Sequence, residues 1–230
     1  MLLERSTRTK TPRNLEPMAV ASAPDAPLVQ PLQLPQQLAA ELRLSPEQFE
    51  LVCQANPDAV LELSAEGHLI AMTPTGSDTS ARNQTLNALL WLAIRSSALP
   101  LKLFDSSGGF RLPDGSVLSP DAAIVRRERW DALTPAEQRS FAPLCPDLVV
   151  ELASPSDEGP RGAAALRRKM ELYRRNGAQR GWLLLPAERA VEIWRADREA
   201  PPERIAPATH LDAGDLFPGL QIALAEVWQG

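Results

Sequence analysis

The chain has few of the residues that build disulfide frameworks and histidine-based metal centres. Its 230 residues include two cysteines, Cys53 and Cys145, and two histidines, His68 and His210. No CxxC pair is present, so two reduced, packed thiols are expected. The histidines are far apart in sequence, which argues against a histidine-rich zinc or non-haem iron centre. Any metal site in this chain must therefore be built from carboxylates.

Long apolar runs and excess positive charge are also missing. No apolar run approaches the roughly 18 residues of a membrane span, and the first residues contain no apolar core like that of a signal peptide. These absences predict a cytoplasmic protein that does not bind a membrane. The net charge of −5 argues against a protein that coats nucleic acid through bulk charge. Any contact with nucleic acid must then come from a local basic surface.

The first 40 residues differ in composition from the rest of the chain. They contain prolines at positions 12, 17, 24, 27, 31 and 35 and no sustained apolar period, which is typical of a disordered leader. Order is predicted to begin at Ser45-Pro46-Glu47-Gln48, a capping box with proline at the first helical position. Residues 41–230 suffice for one substantial core, so a single domain is predicted there.

The spacing of apolar residues alternates between helix and strand along this domain. A hairpin around Gly67 is expected after the first helix, and a long amphipathic helix from Asp78 to Arg95 should cover a sheet. Further strands are predicted at 101–104, 109–112, 117–118, 122–125 and 147–153, followed by a helix at 162–175 and a hairpin at 182–194. This order indicates an α/β fold, a sheet with helices on its faces.

Two of the predicted strands carry an acid among apolar residues. Asp121 follows Pro120 at the start of one strand, and Glu151 interrupts the strand Asp147–Ala153 on the face opposite the leucines. A carboxylate in such a position needs a partner or a metal, because burying an unpaired charge is unfavourable. For Asp121 alone, a turn aspartate is an equally good interpretation. For Glu151 a functional role is the better interpretation, since glutamate is seldom buried without a partner.

Lysine is rare in this chain. Of the 24 basic residues only three are lysines, and one of them, Lys169, lies on the predicted helix 162–175. Leu166, Lys169, Met170 and Tyr173 recur at helical spacing, which places Lys169 on or beside the apolar stripe. A lysine ammonium is compact and its pKa is adjustable, whereas an arginine guanidinium is planar and always charged. A lysine kept in a chain so rich in arginine therefore indicates a specific role. The alternative is a lysine whose stem only follows the edge of the core.

Together the two acids and the lysine suggest a reaction. Two nearby carboxylates repel each other unless a divalent cation lies between them. Mg²⁺ or Mn²⁺ bound by carboxylates polarises a phosphoryl oxygen and lowers the pKa of an attacking water. Lys169 could orient that water or offset charge on the phosphate. The combination indicates metal-assisted hydrolysis of a phosphodiester.

At these residues the chain resembles the PD-(D/E)XK nuclease superfamily, and within it the bacterial Uma family of restriction endonucleases. The resemblance spans about residues 45–228, and its motifs are specific only as a set. They are Glu62 with the Gly67 hairpin, Met72-Thr73-Pro74-Thr75-Gly76, Ser119-Pro120-Asp121, Pro146-Asp147-Leu148-Val149-Val150-Glu151, Ser154-Pro155-Ser156, Lys169 with Tyr173 and Gly177, Gly181-Trp182-Leu183, and Phe217-Pro218-Gly219.

The resemblance implies a fold and a set of roles. The fold is a restriction-endonuclease-like mixed β-sheet flanked by helices, with an added N-terminal helix and hairpin. Asp121 and Glu151 are implied as ligands of Mg²⁺ or Mn²⁺, Lys169 as the catalytic lysine, and DNA as the substrate of an endonuclease. The chain departs from the superfamily motif because Ala153 stands two residues after Glu151, where the motif has lysine. The resemblance then implies that the lysine is relocated to the following helix, as Lys169. Glu62 either assists the site from the preceding hairpin or is a glutamate on the strand surface.

Several arginines lie near these positions in sequence: Arg161, Arg167, Arg168, Arg174, Arg175 and Arg180. They either contact phosphates or form the solvated face of a helix, and Arg82-Asn83 is a similar candidate. No helix-turn-helix or zinc finger is evident, so the sequence does not predict a target site. A noncatalytic nucleic-acid or protein-binding module on a nuclease fold, and a hydrolase of small phosphoesters, are the alternative functions. A homodimer is left open.

Overall fold

The computed structural model describes residues 42–72, 75–157, 162–197 and 200–230. The predicted leader, residues 1–40, lies outside these ranges, so the leader and its boundary with the domain stay predictions. Thr73, Pro74 and Arg161 of the motifs above also lie outside the described residues.

Six α-helices form within the described residues. They are α1 Pro46–Ala55, α2 Ser77–Ser97, α3 Arg127–Asp131, α4 Pro135–Arg139, α5 Gly162–Arg175 and α6 Ala225–Gln229. The predicted capping box begins α1, where Ser45 Oγ accepts from Gln48 N and Gln48 Oε1 accepts from Ser45 N. The predicted bounds of α5 agree with the structure, whereas α2 is longer than predicted and α6 was not predicted.

Twelve β-strands form within the same residues. They are β1 Val60–Leu63, β2 Leu69–Met72, β3 Leu101–Asp105, β4 Phe110–Arg111, β5 Val117–Leu118, β6 Ala122–Arg126, β7 Leu148–Leu152, β8 Arg180–Leu185, β9 Ala190–Arg195, β10 Glu203–Ile205, β11 His210–Asp212 and β12 Gln221–Ala223. The predicted hairpins are β1–β2 and β8–β9, both antiparallel.

The central sheet has the strand order β10-β9-β8-β7-β6-β3. Strands β7 and β8 are parallel, because α5 connects them across one face, and the other neighbouring strands are antiparallel. A second sheet, β2-β1-β5-β4, contains the N-terminal hairpin, and β11 pairs with β12. The mixed sheet flanked by helices, with an added N-terminal helix and hairpin, agrees with the predicted architecture.

The two faces of the central sheet bury different residues. Leu148, Val150 and Leu152 of β7 point into the core that α2 covers with Leu86 and Leu90. Residues of the opposite parity in β7 lie in a second core, which contains Met170 and Tyr173 of α5. Glu151 shares this second face, as the alternation in the sequence predicted. The face that carries Glu151 is therefore the face that α5 covers.

Candidate active site

Asp121 and Glu151 face each other across neighbouring strands. Strands β6 and β7 are antiparallel with Ala122 opposite Val150, and continuing this register by one residue sets Asp121 opposite Glu151. Directly opposed residues have side chains on the same face of a sheet. The backbone N–H of Leu152 donates to Asp121 Oδ2 at 2.8 Å. The structure thus brings the two predicted acids together at one end of the central sheet.

Glu151 is buried, with 3% of its surface exposed. Its Oε1 accepts from Lys169 Nζ at 3.0 Å and from the Tyr173 hydroxyl at 3.2 Å. The pKa of Glu151 is raised to about 8; burial is the largest cause, the Lys169 ammonium opposes the rise, and the charges of Asp121 and Glu62 contribute to it. A cation bound to Glu151 would favour its ionised form and so lower this pKa again.

Lys169 of α5 lies at the centre of the cluster. Its Nζ is 2.8 Å from Glu62 Oε1 and 3.0 Å from Glu151 Oε1, and it donates to the Ser119 carbonyl at 3.2 Å. Burial alone lowers the pKa of Lys169, but the charges of Glu151 and Glu62 together outweigh it, so the pKa lies above its ordinary value. The amine therefore remains protonated and cannot serve as a base at neutral pH.

Glu62 of β1 is a buried member of the site. It is 4% exposed, and its Oε1 accepts from Ser119 N at 2.9 Å as well as from Lys169. The alternative of a glutamate on the strand surface is wrong, because Glu62 is buried against Lys169 of α5. Glu62 holds both the lysine and the residue two positions before Asp121.

Two asparagines of α2 reach Asp121 from the other side. Asn83 Nδ2 donates to Asp121 Oδ1 at 3.3 Å, and Asn87 Nδ2 donates to the Asp121 carbonyl at 3.1 Å. Burial raises the pKa of Asp121, against the Leu152 N–H and Lys169, which lower it; Asp157 is close enough to raise it further. Asn87 and Asp157 were missed in the sequence, and Asn83 was considered only as a phosphate contact.

The sequence contained a signal for Asn83, Asn87 and Tyr173. Asn83 and Asn87 are four residues apart, on the helix face that also carries the buried Leu86 and Leu90. Tyr173 is the chain's single tyrosine, and its hydroxyl is buried on Glu151. A polar residue that interrupts an apolar stripe indicates a buried partner, although it does not identify the partner.

Most of the arginine candidates bind acids or backbone carbonyls of the chain. Arg167 pairs with Glu192, Arg174 and Arg175 with Glu171, and Arg180 with Asp215. Arg82 donates to the carbonyls of Val227 and Trp228 and so anchors the C-terminal helix. These contacts favour structural roles. Arg168 is exposed on α5 and stays a candidate for a phosphate contact.

A second Pro-Asp dipeptide that directly precedes a strand is Pro146-Asp147, and its aspartate has a different environment. Asp147 is fully buried, with Oδ2 accepting from Arg126 N at 2.8 Å and Oδ1 2.9 Å from Arg129 Nη1. Gln179 Nε2 donates to the same carboxylate at 3.3 Å. Asp147 thus joins β6, α3 and the start of β8, and these contacts include none of the residues that bind Lys169. Its role is structural.

Replacing Asp147 with asparagine is expected to lower the free energy of unfolding by about 2 kcal/mol, since it removes the charge that Arg129 and the Arg126 amide bind in the interior. Urea unfolding measures the change. Asp131→Asn is the matched control, because Asp131 is exposed at the end of the same helix α3. A variant as stable as the parent would contradict this role.

Residues 46–225 match the model of the Uma2 family, which is described as "Putative restriction endonuclease". The chain belongs to the Uma2 family. A solved structure described as "a putative nuclease belonging to DUF820 from Anabaena variabilis ATCC 29413" shares the fold, with a TM-score of 0.62 and 18% sequence identity; the match covers 81% of this chain and 98% of that chain. No curated protein matches the chain. The resemblance and the restriction-endonuclease-like fold predicted from the sequence are confirmed.

The side chains of this Uma2 member fit a divalent cation. Three acids, Glu62, Asp121 and Glu151, surround one ammonium, so negative charge exceeds positive charge in a largely buried cluster. Oxygen ligands suit Mg²⁺ or Mn²⁺. Within the described ranges, no three His, Cys, Asp or Glu side chains form a complete metal-binding set. Mg²⁺ can be held by only one or two carboxylates while it keeps several waters, so Asp121 and Glu151 could hold it.

Proposed function

We propose that the chain is a metal-dependent endonuclease that hydrolyses phosphodiester bonds of DNA. Membership of the Uma2 family supports a nuclease, and the observation that carries the finer proposal is Lys169 bound between Glu62 and Glu151, next to Asp121. Asp121 and Glu151 would hold Mg²⁺ or Mn²⁺, which when bound lowers the pKa of a water and polarises the phosphate.

The contacts of the two acids leave them suited to this role. Lys169 and Tyr173 both approach Oε1 of Glu151, so Oε2 has no hydrogen bond from the described residues. Asp121 is oriented from both sides, through Asn83 on Oδ1 and Leu152 N on Oδ2. Carboxylates fixed in this way need little reorganisation when they bind an ion.

Lys169 acts as a positive charge in this proposal. Because it keeps its proton, it neutralises negative charge that develops on the phosphate and does not take a proton from water. Glu62 positions the ammonium through its 2.8 Å contact. Tyr173 positions Glu151, and its own pKa is raised well above the ordinary value by burial, so its hydroxyl stays a donor.

A closed circular plasmid tests the proposal. Wild-type protein is expected to convert supercoiled DNA to nicked and linear forms with Mg²⁺ or Mn²⁺ and to leave it intact with EDTA, because the carboxylates need the ion to activate water. Glu151→Gln, purified in parallel, controls for contaminating nucleases. Protein that binds the ion and DNA without cutting would contradict the enzyme and favour a binding module, and cleavage restricted to RNA would contradict the substrate.

The cytoplasmic location and the homodimer stay predictions. In the part of the chain that the structure describes, no helix combines the length and apolar character needed to cross a bilayer. A cytoplasmic location and a homodimer are tested by fractionation and by analytical ultracentrifugation.

A further inference from the structure

An open cleft of about 400 Å³ lies between α1, the loop from β3 to β4, and the segment after α4. We call it the aromatic cleft. Four aromatic residues line it, Phe104, Phe110, Trp130 and Phe141, and its polar side chains include Glu50, Gln54 and Arg139. Its volume falls within the range of about 300–1,000 Å³ that is usual for small-molecule sites. None of its residues belongs to the site described above.

The aromatic cleft shares a sheet face and a sheet end with the candidate active site. Phe104 pairs with Ala123 and Asp105 pairs with Ala122, so β3 ends beside the residue that follows Asp121. Phe104 also packs on the core that contains Tyr173, on the face that carries Glu151. The loop that borders the cleft therefore begins next to the predicted metal ligand.

One residue, Ser119, connects the two places directly. Its carbonyl accepts from Lys169 and its backbone N–H donates to Glu62 Oε1. On its other side, a Cβ atom placed on Gly109 would lie 3.4 Å from Ser119 Oγ, and Gly109 lines the aromatic cleft. A single residue thus separates the cleft from the ammonium that faces the phosphate.

The rings of the cleft are fixed by packing. Phe141 lies with its centroid 5.4 Å from that of Phe49, and a Cβ atom on Gly109 would approach Phe141 Cδ1 to 2.5 Å. Only glycine allows the ring to lie this close to the backbone. Phe104 packs against Trp130 with a centroid separation of 4.8 Å. Phe104 and Phe141 are half-buried, and both line the cleft.

The polar side chains of the cleft suit the edge of a nucleobase better than a phosphate. Glu50 accepts from the Ser140 hydroxyl at 2.8 Å, and its carboxylate repels phosphate while accepting from amino or ring N–H groups. Gln54 and Arg139 are exposed and bind no other residue in the described ranges. Aromatic rings beside such mixed donors and acceptors are how proteins bind unstacked bases.

We propose that the aromatic cleft binds a nucleobase of the cleaved strand close to the scissile phosphate. The inference rests on the proposed nuclease function. A base in this cleft has left the duplex stack, so the preferred substrate is single-stranded DNA or a duplex from which one base is extruded. The cleft then holds the strand in place while Lys169 faces the phosphate.

Two fluorescent oligonucleotides of the same length and charge test this, polythymidine and its fully abasic counterpart. Binding is measured by anisotropy with full-length protein and Ca²⁺ in place of Mg²⁺. Wild type is expected to bind polythymidine about 10-fold more tightly than the abasic strand, which is the effect of stacking one base. Phe141→Leu keeps the apolar volume but loses the flat ring, and it is expected to remove this preference without changing the affinity for the abasic strand.

A second variant does not disturb the core. Gln54→Trp places a large ring in the cleft from an exposed helix position, and it should remove the same preference. Gln84→Trp is the matched control, because Gln84 is an exposed glutamine on α2, which covers the opposite face of the sheet. This control is expected to bind like wild type.

The outcomes test base binding in the cleft independently of the proposed nuclease function. Equal binding of both strands by wild type, no binding of polythymidine, or a preference that survives both Phe141→Leu and Gln54→Trp would overturn the inference, even if the plasmid is cut. A preference that both variants remove supports the cleft, and it does so even if the plasmid stays intact and the proposed nuclease function fails.

Discussion

Glu151→Gln is expected to lower metal-dependent DNA cleavage by about 1,000-fold or more, equivalent to roughly 4 kcal/mol of transition-state stabilisation. Glutamine keeps the shape of the side chain and can still accept from Lys169 and Tyr173 through its carbonyl oxygen. It lacks the charge that binds a divalent cation. Initial rates of plasmid nicking measure the loss of cleavage, and calorimetric titration with Mn²⁺ measures the loss of metal binding. The two losses should occur together.

The chain offers a closely matched control for this substitution. Glu192 of β9 is also 3% exposed, lies on the same sheet face by register through Leu183, and pairs with Arg167 of α5. Glu192→Gln therefore makes the same chemical change in a buried strand glutamate bound to the same helix. It is expected to retain Mn²⁺ binding and cleavage per folded molecule. Full activity in Glu151→Gln, or equal losses in both variants, would show that Glu151 has no special role.

Lys169→Met is expected to lower cleavage by about 100-fold or more, because it removes the positive charge that faces the phosphate. Methionine preserves much of the apolar stem on α5. Lys169→Arg should not restore the rate, since a planar guanidinium cannot occupy the space that a compact ammonium shares with Glu62, Glu151 and the Ser119 carbonyl. Arg168→Met, at the exposed neighbouring position, is the control and is expected to have a much smaller effect.

The pH dependence distinguishes a charge effect from a general loss of structure. Lys169 lowers the pKa of Glu151, so its removal raises that pKa further above about 8. A raised carboxyl pKa means that the ionised, metal-binding form is reached only at higher pH. The acid limb of the rate profile in Lys169→Met should therefore move to higher pH than in wild type. An unchanged limb, or a shift to lower pH, would contradict the electrostatic coupling of these two residues.

The positions of the central candidates followed from local patterns. Alternation along β7 placed Glu151 opposite the leucines, because successive strand residues point to opposite faces. Helical spacing placed Lys169 beside the apolar stripe of α5, and the capping box began α1 at the predicted residue. Each of these depends on residues within one or two turns, where the backbone geometry alone sets which side chains share a face.

The environment of each acid depended on residues far away in the chain. Two Pro-Asp dipeptides directly precede strands, yet Asp121 lies opposite Glu151 whereas Asp147 binds Arg129 and the Arg126 amide. The register between β6 and β7 makes that distinction. No local pattern contains it, because register is set by how the whole sheet packs. The roles of Asp121 and Glu151 as ligands remain predictions that the Mn²⁺ titration tests.

Local sequence dictated the strand and helix that carry Glu151 and Lys169, and the face of the sheet on which Glu151 lies. Only the tertiary structure decided that Glu62 from the N-terminal hairpin and Tyr173 bind the same cluster, and that Asn83 and Asn87 hold Asp121. The physical reason is that hydrogen bonds and ion pairs act over about 3 Å, whereas Glu62 and Lys169 are brought within that distance by the packing of two sheets and a helix that are distant in sequence.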